Sequence, residues 1–251
     1  MSYLNKYDTP TPTPIPADIH SQTPVSEYDQ NFVFPVKVLR SDRVELRPFI
    51  PSEHATILQD GLNQDMLEWL PLELKPEGLY AFIEKSFRSN PAFLWHAIYT
   101  SLDPNPTPDQ YEIAGTIGMI NASVADQGAE LGWIMILPKF QKTHTLTHAA
   151  GTMMHRILDS PTSGGLGLRR CQWFTNSLND KSKSAALRLG FTHEGTLRAH
   201  RVLPLGKNGA RDGREGEKQD LKSRDSWLAS VIWTEWEGGV RDHVDKLMAR
   251  R

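Results

Sequence analysis

The sequence predicts one domain of the α/β (α+β) class, in which helices flank a mostly antiparallel, mixed sheet of about seven strands. Two observations predict this class. Segments that alternate apolar and polar residues take turns with segments of helical periodicity, and the middle of the chain runs strand, helix, strand, helix. The composition of the 251 residues, 39% hydrophobic and 23% charged, is typical of a globular protein.

The first half of the chain contains four segments that alternate in polarity or are rich in β-branched and aromatic residues, which predicts strands. These strands cover residues 44–49, 93–100, 113–122 and 129–137. Two helices lie among them. The first begins at Pro51 and Ser52, since proline suits the first helical turn, and the second covers residues 78–87.

The clearest helix follows Pro138. Its apolar residues recur at i, i+3, i+4, i+7, i+8, i+11 and i+12 and form one stripe. They are Leu146, Ala149, Ala150, Met153, Met154, Ile157 and Leu158. Pro161 and the glycine pair at 164–165 predict the end of this helix.

The second half repeats the alternation. A strand is predicted at residues 170–175 and a short helix at 180–189, which Gly190 ends because glycine accepts the left-handed conformation of a helix stop. Two further strands and a terminal helix follow, at residues 197–203, 227–233 and 240–248.

Three segments differ from the rest. Residues 1–31 are interrupted by prolines and have few apolar groups, so we expect a disordered tail; a proline-rich docking motif is the functional alternative. Residues 102–110 are a proline-rich loop insertion. Residues 206–226 hold six basic and five acidic residues, which predicts a solvated, mobile loop or, alternatively, a lid. The remaining residues, 32–251, are expected to form the single domain.

Composition excludes several classes of protein. The net charge of −2 and the pI near 6.5 give no basic field, and no local basic patch is found, so nucleic acid is not an expected partner. No apolar run has the length of a membrane span, and the N-terminus has no secretory pattern. The single cysteine, Cys171, excludes an internal disulfide and fits a cytoplasmic location.

The junction between residues 137 and 146 is a candidate anion site. A strand ends, a short loop follows and a strongly amphipathic helix begins. The first turn of such a helix offers unpaired backbone N–H groups and the positive end of the helix dipole, a combination that suits a pyrophosphate. Every helix has an N-terminus, so the site needs support from neighbouring residues.

Nine residues around this junction follow a recognisable order and spacing. They are Glu130, Gly132, Trp133, Pro138, Gln141, Asn179, Ser182, Gly190 and Phe191. The set resembles the GNAT superfamily of acetyl-CoA-dependent N-acetyltransferases, and its nearest branch looks like the RimJ/RimL-like type. The segments at 44–49 and 68–71 are similar to the opening of that family, and the resemblance extends over about residues 36–240.

The resemblance implies which residues bind acetyl-CoA. The strand after Glu130 pairs with the pantetheine arm, the loop and first helical turn hold the pyrophosphate, and two residues of the later helix face the cofactor. The cofactor-binding residues are then Trp133, Ile134, Met135, Ile136, Gln141, Lys142, Thr143, His144, Thr145, Leu146, Asn179 and Ser182. The chain departs from the family where two loop glycines fall on His144 and Leu146.

The resemblance also implies the catalytic roles. Glu130 is the general base, direct or through water, and Ser182 is the proton donor to the thiolate, with Asn179 orienting the cofactor. Each has a structural alternative: a surface carboxylate, an early helical residue and a helix N-cap, respectively. Trp69 and Trp95 are candidates for an acceptor pocket, although aromatic residues at such positions are more often core.

Two other constellations are set aside. His144 and His148 share a helical face, but the glutamate of a zinc-hydrolase helix is absent, so no metal is expected. Cys171 lies in a predicted buried strand, where an inert thiol is ordinary. The expected function is an N-acetyltransferase that acts on a small molecule or a protein N-terminus, as a monomer or homodimer. The alternative is a non-catalytic GNAT-fold module that binds an acyl-CoA or a protein.

Overall fold

The computed structural model describes residues 3–8, 10–11, 13–74, 78–103, 105–216 and 220–250. Eight strands form one sheet. They are β1 (Leu39–Arg40), β2 (Val44–Pro48), β3 (Leu94–Thr100), β4 (Glu112–Ser123), β5 (Gly128–Ile136), β6 (Arg170–Asn176), β7 (Thr192–Val202) and β8 (Ser223–Ile232). Their order is β1-β2-β3-β4-β5-β6-β8-β7, and only β5 and β6 pair in parallel.

The helices cover both faces of this sheet. They are α1 (Pro51–Gly61), α2 (Gln64–Leu67), α3 (Leu79–Ile83), α4 (Thr145–Leu158), α5 (Asp180–Arg188), α6 (Trp233–Glu235) and α7 (Arg241–Met248). Wider π-helical turns continue α3 over Glu84–Arg88 and join α6 to α7 over Trp236–Val240. No helix in the described part of the chain has the length and hydropathy of a membrane span.

Two apolar cores follow from this layering. The apolar stripe of α4 packs against one face together with α5 and α7, and Met153, Met154 and Ile157 are fully buried there. The helices α1 to α3 cover the other face, where Phe87 and Trp95 are buried. The mixed, mostly antiparallel sheet flanked by helices confirms the predicted fold class.

The structure differs from the predicted elements at several boundaries. The sheet has eight strands rather than about seven, because the two-residue β1 is too short to show alternation. The strand β8 begins at Ser223, so the last four residues of the expected insertion at 206–226 lie in the sheet. The strand β7 begins at Thr192, five residues before its predicted start.

Part of the predicted tail contacts the domain. Tyr28 is buried, Ser52 donates a hydrogen bond to the carbonyl of Thr23 (2.7 Å), and Gln30 donates one to the carbonyl of Phe49 (3.2 Å). A short 3-10 turn covers Val25–Glu27. The division of the chain at residue 31 stays a prediction.

Candidate active site

The strands β5 and β6 pair only at their first residues and then diverge. Gly128, Ala129 and Glu130 pair with Arg170, Cys171 and Gln172, respectively, and within the described residues no further pair joins these two strands. On its other side β5 stays paired with β4 as far as Ile136. One edge of the segment after Glu130 is therefore left without a partner strand, which is an arrangement that can hydrogen-bond an extended ligand.

A bulge bends β5 at this point. Gly118 pairs with Gly132 and Thr116 with Met135, so two residues of β5 lie opposite one residue of β4. Trp133, within the bulge, has a φ of 51°, which is uncommon for an aromatic residue.

Two residues of β4 support this bulge. The hydroxyl of Thr116 donates to the carbonyl of Trp133 (3.3 Å). Gly115 has a φ of 145°, and a Cβ there would lie 1.9 Å from the carbonyl oxygen of Met135, so only glycine fits. The shape of the free edge thus depends on glycine in the neighbouring strand.

Side-chain hydrogen bonds fix the loop between β5 and α4. Gln141 Nε2 donates to the carbonyl of Ile136 (2.9 Å), and the hydroxyl of Thr143 donates to the carbonyl of Phe140 (2.7 Å). The same hydroxyl accepts from the backbone N–H of Thr145 (3.2 Å). The first turn of α4 contains no acidic residue, so the positive end of the helix dipole is not neutralised there.

The two residues that replace family glycines are held by the protein. His144 Nε2 lies 2.9 Å from the hydroxyl of Thr100, which itself donates to the carbonyl of Arg43, so we assign the shared proton to His144. Burial, and secondarily Arg43, lowers the pKa of His144 to about 4, so the ring is neutral at pH 7. Leu146 packs against the apolar core. His144 thus anchors the start of α4 to β3.

Glu130 is buried where β5 and β6 part. Its side chain is only 7% exposed, and its Oε2 accepts a hydrogen bond from Asn121 Nδ2 (2.8 Å). Burial raises its pKa to about 7, against the opposing effects of the Asn121 hydrogen bond and the charges of Arg224 and Arg201. A carboxyl with such a pKa exchanges its proton near neutral pH, as a general base must.

Ser182 and Asn179 lie at the start of α5. Asn179 Oδ1 accepts from the backbone N–H of Ser182 (3.1 Å), which confirms Asn179 as the N-cap. The Ser182 hydroxyl oxygen accepts from Trp173 Nε1 (3.0 Å), so its own hydrogen remains available for donation. The capping role leaves open a second role of Asn179 toward a ligand.

The three tryptophans considered for the site, Trp95, Trp133 and Trp69, differ in burial. Trp95 is 2% exposed and stacks between Phe49 and Phe87, with ring centroids 4.5 Å and 4.6 Å away. Trp95 is therefore a core residue and not part of an acceptor pocket, because a side chain so enclosed presents no surface to an acceptor. The half-buried Trp133 meets the rings of Phe87 and Trp95 edge to face. Trp69 is also half-buried, and its carbonyl is 3.5 Å from Arg224 Nη1.

Several polar residues near Glu130 were not predicted from the sequence. Asn121, with a φ of 49°, follows Ile120, which pairs with Glu130 across the sheet. Arg224 is buried despite belonging to the charge-rich insertion. A signal was present in the sequence, because Arg224 and Ser226 continue the alternation of β8 toward its start, but the neighbouring charged residues obscured it.

The constellations set aside from the sequence have structural explanations. His148 Nδ1 lies 3.1 Å from the hydroxyl of Ser41 and 3.3 Å from Asp42. Burial raises the pKa of the Cys171 thiol, which keeps it protonated. Over the described ranges, no three His, Cys, Asp or Glu side chains are grouped so as to hold a metal ion.

Comparison with known proteins identifies the family. The sequence profile described as acetyltransferase (GNAT) domain matches residues 43–192, more than half of the chain. The chain belongs to this family of acetyltransferases. No protein of curated function matches the sequence significantly.

Solved structures share the fold over most of the chain. A GCN5-related N-acetyltransferase from Brucella melitensis is 22% identical, with a TM-score of 0.67 over 86% of this chain and 87% of that one. Mycobacterium smegmatis RimJ in complex with CoA-disulfide is 17% identical, with a TM-score of 0.59 over 84% and 93%. Spermidine N-acetyltransferase from Vibrio cholerae, in complex with CoA and spermine, is 14% identical, with a TM-score of 0.56 over 78% and 99%.

Proposed function

We propose that the protein is an acetyl-CoA-dependent N-acetyltransferase that moves an acetyl group to a primary amine by direct transfer in a ternary complex. One arrangement carries the proposal. The buried Glu130 carboxyl, with a pKa of about 7, lies where β5 parts from β6, immediately before the strand segment with a free edge. A base beside an edge that binds an extended ligand can hold an amine next to a thioester, as direct transfer requires.

Two features of the site fit acetyl-CoA. The N-terminus of α4, with no acidic residue in its first turn, suits a pyrophosphate. The free edge of β5 suits the amide groups of the pantetheine arm. The residues that we assign to cofactor binding are Trp133, Ile134, Met135, Ile136, Gln141, Lys142, Thr143, His144, Thr145, Leu146, Asn179 and Ser182.

The chain's own groups account for the proton movements. Bound acetyl-CoA supplies an acetyl thioester. Glu130 would take the proton that the amine loses as its nitrogen bonds to the acetyl carbon, and a backbone N–H of β5 would polarise the carbonyl. Ser182 would give its hydroxyl proton to the sulfur as the C–S bond breaks and would regain one from solvent, to which Glu130 would release the proton taken from the amine. The products are the N-acetylated amine and the CoA thiol.

Finer assignments are part of the proposal. We assign the protein to the RimJ/RimL-like branch, which the shared fold with RimJ fits, and we propose a small molecule or a protein N-terminus as acceptor. Trp69, on the rim beside Arg224, is proposed to line the acceptor site. We also propose that residues 32–251 carry the activity as one domain, in a cytoplasmic monomer or homodimer.

Calorimetric titration with acetyl-CoA, with CoA as control, tests the cofactor. Micromolar binding is the expected result, because the loop amides and the free edge of β5 are both available. Transfer to a panel of primary amines, measured by thiol release, then tests the reaction. The variant E130Q should bind acetyl-CoA like the wild type but lose turnover, while E237Q, at an exposed glutamate, should retain it.

Two outcomes would contradict the proposal. The absence of binding at millimolar acetyl-CoA would exclude the transferase. Tight binding with no transfer to any amine, in the wild type and E130Q alike, would favour a non-catalytic module that binds acyl-CoA. The replacement of the loop glycines by His144 and Leu146 is the observation that supports this alternative.

A further inference from the structure

Arg224 is a buried cation that forms no direct ion pair with a described carboxylate. Its side chain is 9% exposed; Nε donates to the hydroxyl of Ser226 (3.0 Å) and Nη1 to the carbonyl of Trp69 (3.5 Å). Among the described residues no Asp or Glu lies within ion-pair distance of it, although the charge of Glu130 acts on it from farther away, and the hydrogen bonds found use only Nε and Nη1. Buried arginines are almost always paired, so this guanidinium has unused donors that a ligand could satisfy.

The position of Arg224 relates it to the candidate active site. It pairs across the sheet with Arg201 of β7, and the following Ser226 pairs with Asn176 at the end of β6 that has moved away from β5. From β8 its side chain reaches the backbone of Trp69, on the rim proposed for the acceptor. It is therefore placed beside the opening between β5 and β6, and not at the phosphate loop.

A second polar group in the same place also lacks a partner. His200 Nδ1 is buried without a hydrogen bond in the described structure, and its ring lies 6.1 Å from that of Phe174 on β6. The charged groups that act on both His200 and Glu130 are Arg201 and Arg224, and both are cations. Set against the single carboxylate of Glu130, these two cations leave an excess of positive charge near the acceptor, which disfavours a polycation and favours an anionic group.

We propose that Arg224 binds a carboxylate of the acceptor, so that the substrate class is a primary amine that also carries a carboxylate. This inference rests on the proposed acetyl transfer at Glu130. The amine approaches Glu130, and the carboxylate accepts hydrogen bonds from the free side of the Arg224 guanidinium, whose planar fork matches carboxylate geometry. The carboxylate has two sources, a free amino acid or an acidic side chain next to a peptide N-terminus.

Matched acceptors with and without the carboxylate test the inference at saturating acetyl-CoA, with each kcat/KM referred to the neutral amine, because a nearby carboxylate also raises the pKa of the amine. Alanine is compared with alaninamide, and Ala-Asp-amide with Ala-Asn-amide, so each pair examines one source. We expect the acid of at least one pair to have a kcat/KM about 10-fold or more above its neutral partner. In R224Q this preference should be lost, in R224K it should be partly retained, and the Kd for acetyl-CoA should not change. R198Q, at an exposed arginine of β7, is the control.

A readout that does not need turnover accompanies the kinetics. Calorimetry should detect the N-acetylated acid product with the wild type and lose about 10-fold or more in affinity with R224Q, while the N-acetylated amide should bind both equally. Thermal melts establish that R224Q is folded; if it is not, R224K provides the comparison.

The outcomes separate this inference from the proposed function. Equal use of acids and amides by the wild type would overturn the inference and leave the transferase intact. Unchanged preference in R224Q with a shifted pH profile would also overturn it, since Arg224 would then act only through Glu130. Binding of acetyl-CoA with no transfer to any acceptor would overturn both, and the proposed function would already have failed in the amine panel.

Discussion

The two sides of Glu130 are constructed differently. On the donor side, defined as β5, the loop after it and the first turn of α4, the hydrogen bonds within the loop are local, and those to β3 and β4 span 44 and 17 residues. Gln141 reaches the carbonyl of Ile136 five residues away, and Thr143 that of Phe140 three residues away. The loop can take its shape from local sequence, while the bulge and the start of α4 also need β4 and β3.

On the acceptor side, defined as the end of α2 through Trp69 with the residues that contact it, the hydrogen bonds are distant in sequence. Lys207 donates to the carbonyls of Leu67 and Leu70, 140 and 137 residues away, and Arg224 reaches Trp69 over 155 residues. The comparison teaches that the cofactor half of the site depends more on local sequence and neighbouring strands, while the acceptor half depends on contacts between segments far apart in the chain.

Glu130 joins the two sides, and its replacement should have the largest effect. E130Q should lower kcat by about 100-fold or more, because a positioned general base contributes on that scale. In the wild type, kcat should rise with pH through about 7 as Glu130 loses its proton, and this rise should be missing in E130Q. A pH–rate profile for both proteins measures this; the same rise in E130Q would assign it to another group.

The same residue makes a prediction about stability. Because burial raises the pKa of Glu130 to about 7 in the folded state, the folded protein holds this proton more tightly than the unfolded chain. The stability that this bound proton contributes is fully present below the pKa of Glu130 in the unfolded chain. It is lost as pH rises through about 7. Denaturant unfolding should find E130Q more stable than the wild type by about 3 kcal/mol at pH 8, with the difference disappearing near pH 4.

The same contrast explains what the sequence could predict. The apolar stripe that starts at Leu146 predicted α4, and the structure confirms that helix over Thr145–Leu158, because periodicity within one segment reports its own buried face. The contacts of the charged residues at 206–226 could not be predicted in this way. Arg211 forms a bidentate pair with Asp225, and these partners meet only because the chain turns back onto β8.

Trp95 and Asn121 show the same limit at the level of single residues. An aromatic residue near a motif carries no sign of whether it faces a ligand or the core, and the rings stacked on Trp95 come from the π-helical turn after α3 and the residue after β2. Asn121 contacts Glu130 across a β-bulge. The sequence of either strand alone does not determine the register in which the two strands pair.

Gly115 is the most sensitive point of the donor side apart from Glu130. G115A places a Cβ 1.9 Å from the carbonyl oxygen of Met135 at a positive φ, so the bulge must shift. We expect a loss of about 2–3 kcal/mol in the free energy of unfolding and weaker acetyl-CoA binding. G195A is the matched control, since a Cβ there meets nothing within 4 Å. Equal melting of the two variants would show that the bulge tolerates a side chain.

Ser182 should have a smaller effect, confined to the donor side. S182A removes the proposed proton donor and the acceptor of Trp173 Nε1, so kcat should fall by about 10-fold and stability by about 1 kcal/mol. S184A, at an exposed serine of the same helix, should change neither. A loss of stability without a loss of kcat would restrict Ser182 to holding Trp173.

The smallest expected effect tests whether the two sides are independent. K207M removes the hydrogen bonds to Leu67 and Leu70, which loosens the segment that carries Trp69. The KM for the acceptor should rise a few-fold, about 1 kcal/mol, while the Kd for acetyl-CoA stays unchanged. K246M, at an exposed lysine of α7, is the control. A parallel rise in the KM and the Kd would mean that the acceptor segment also shapes the free edge of β5. The hydrogen bonds of Lys207 reach only the acceptor segment, so they would not by themselves explain weaker binding of acetyl-CoA.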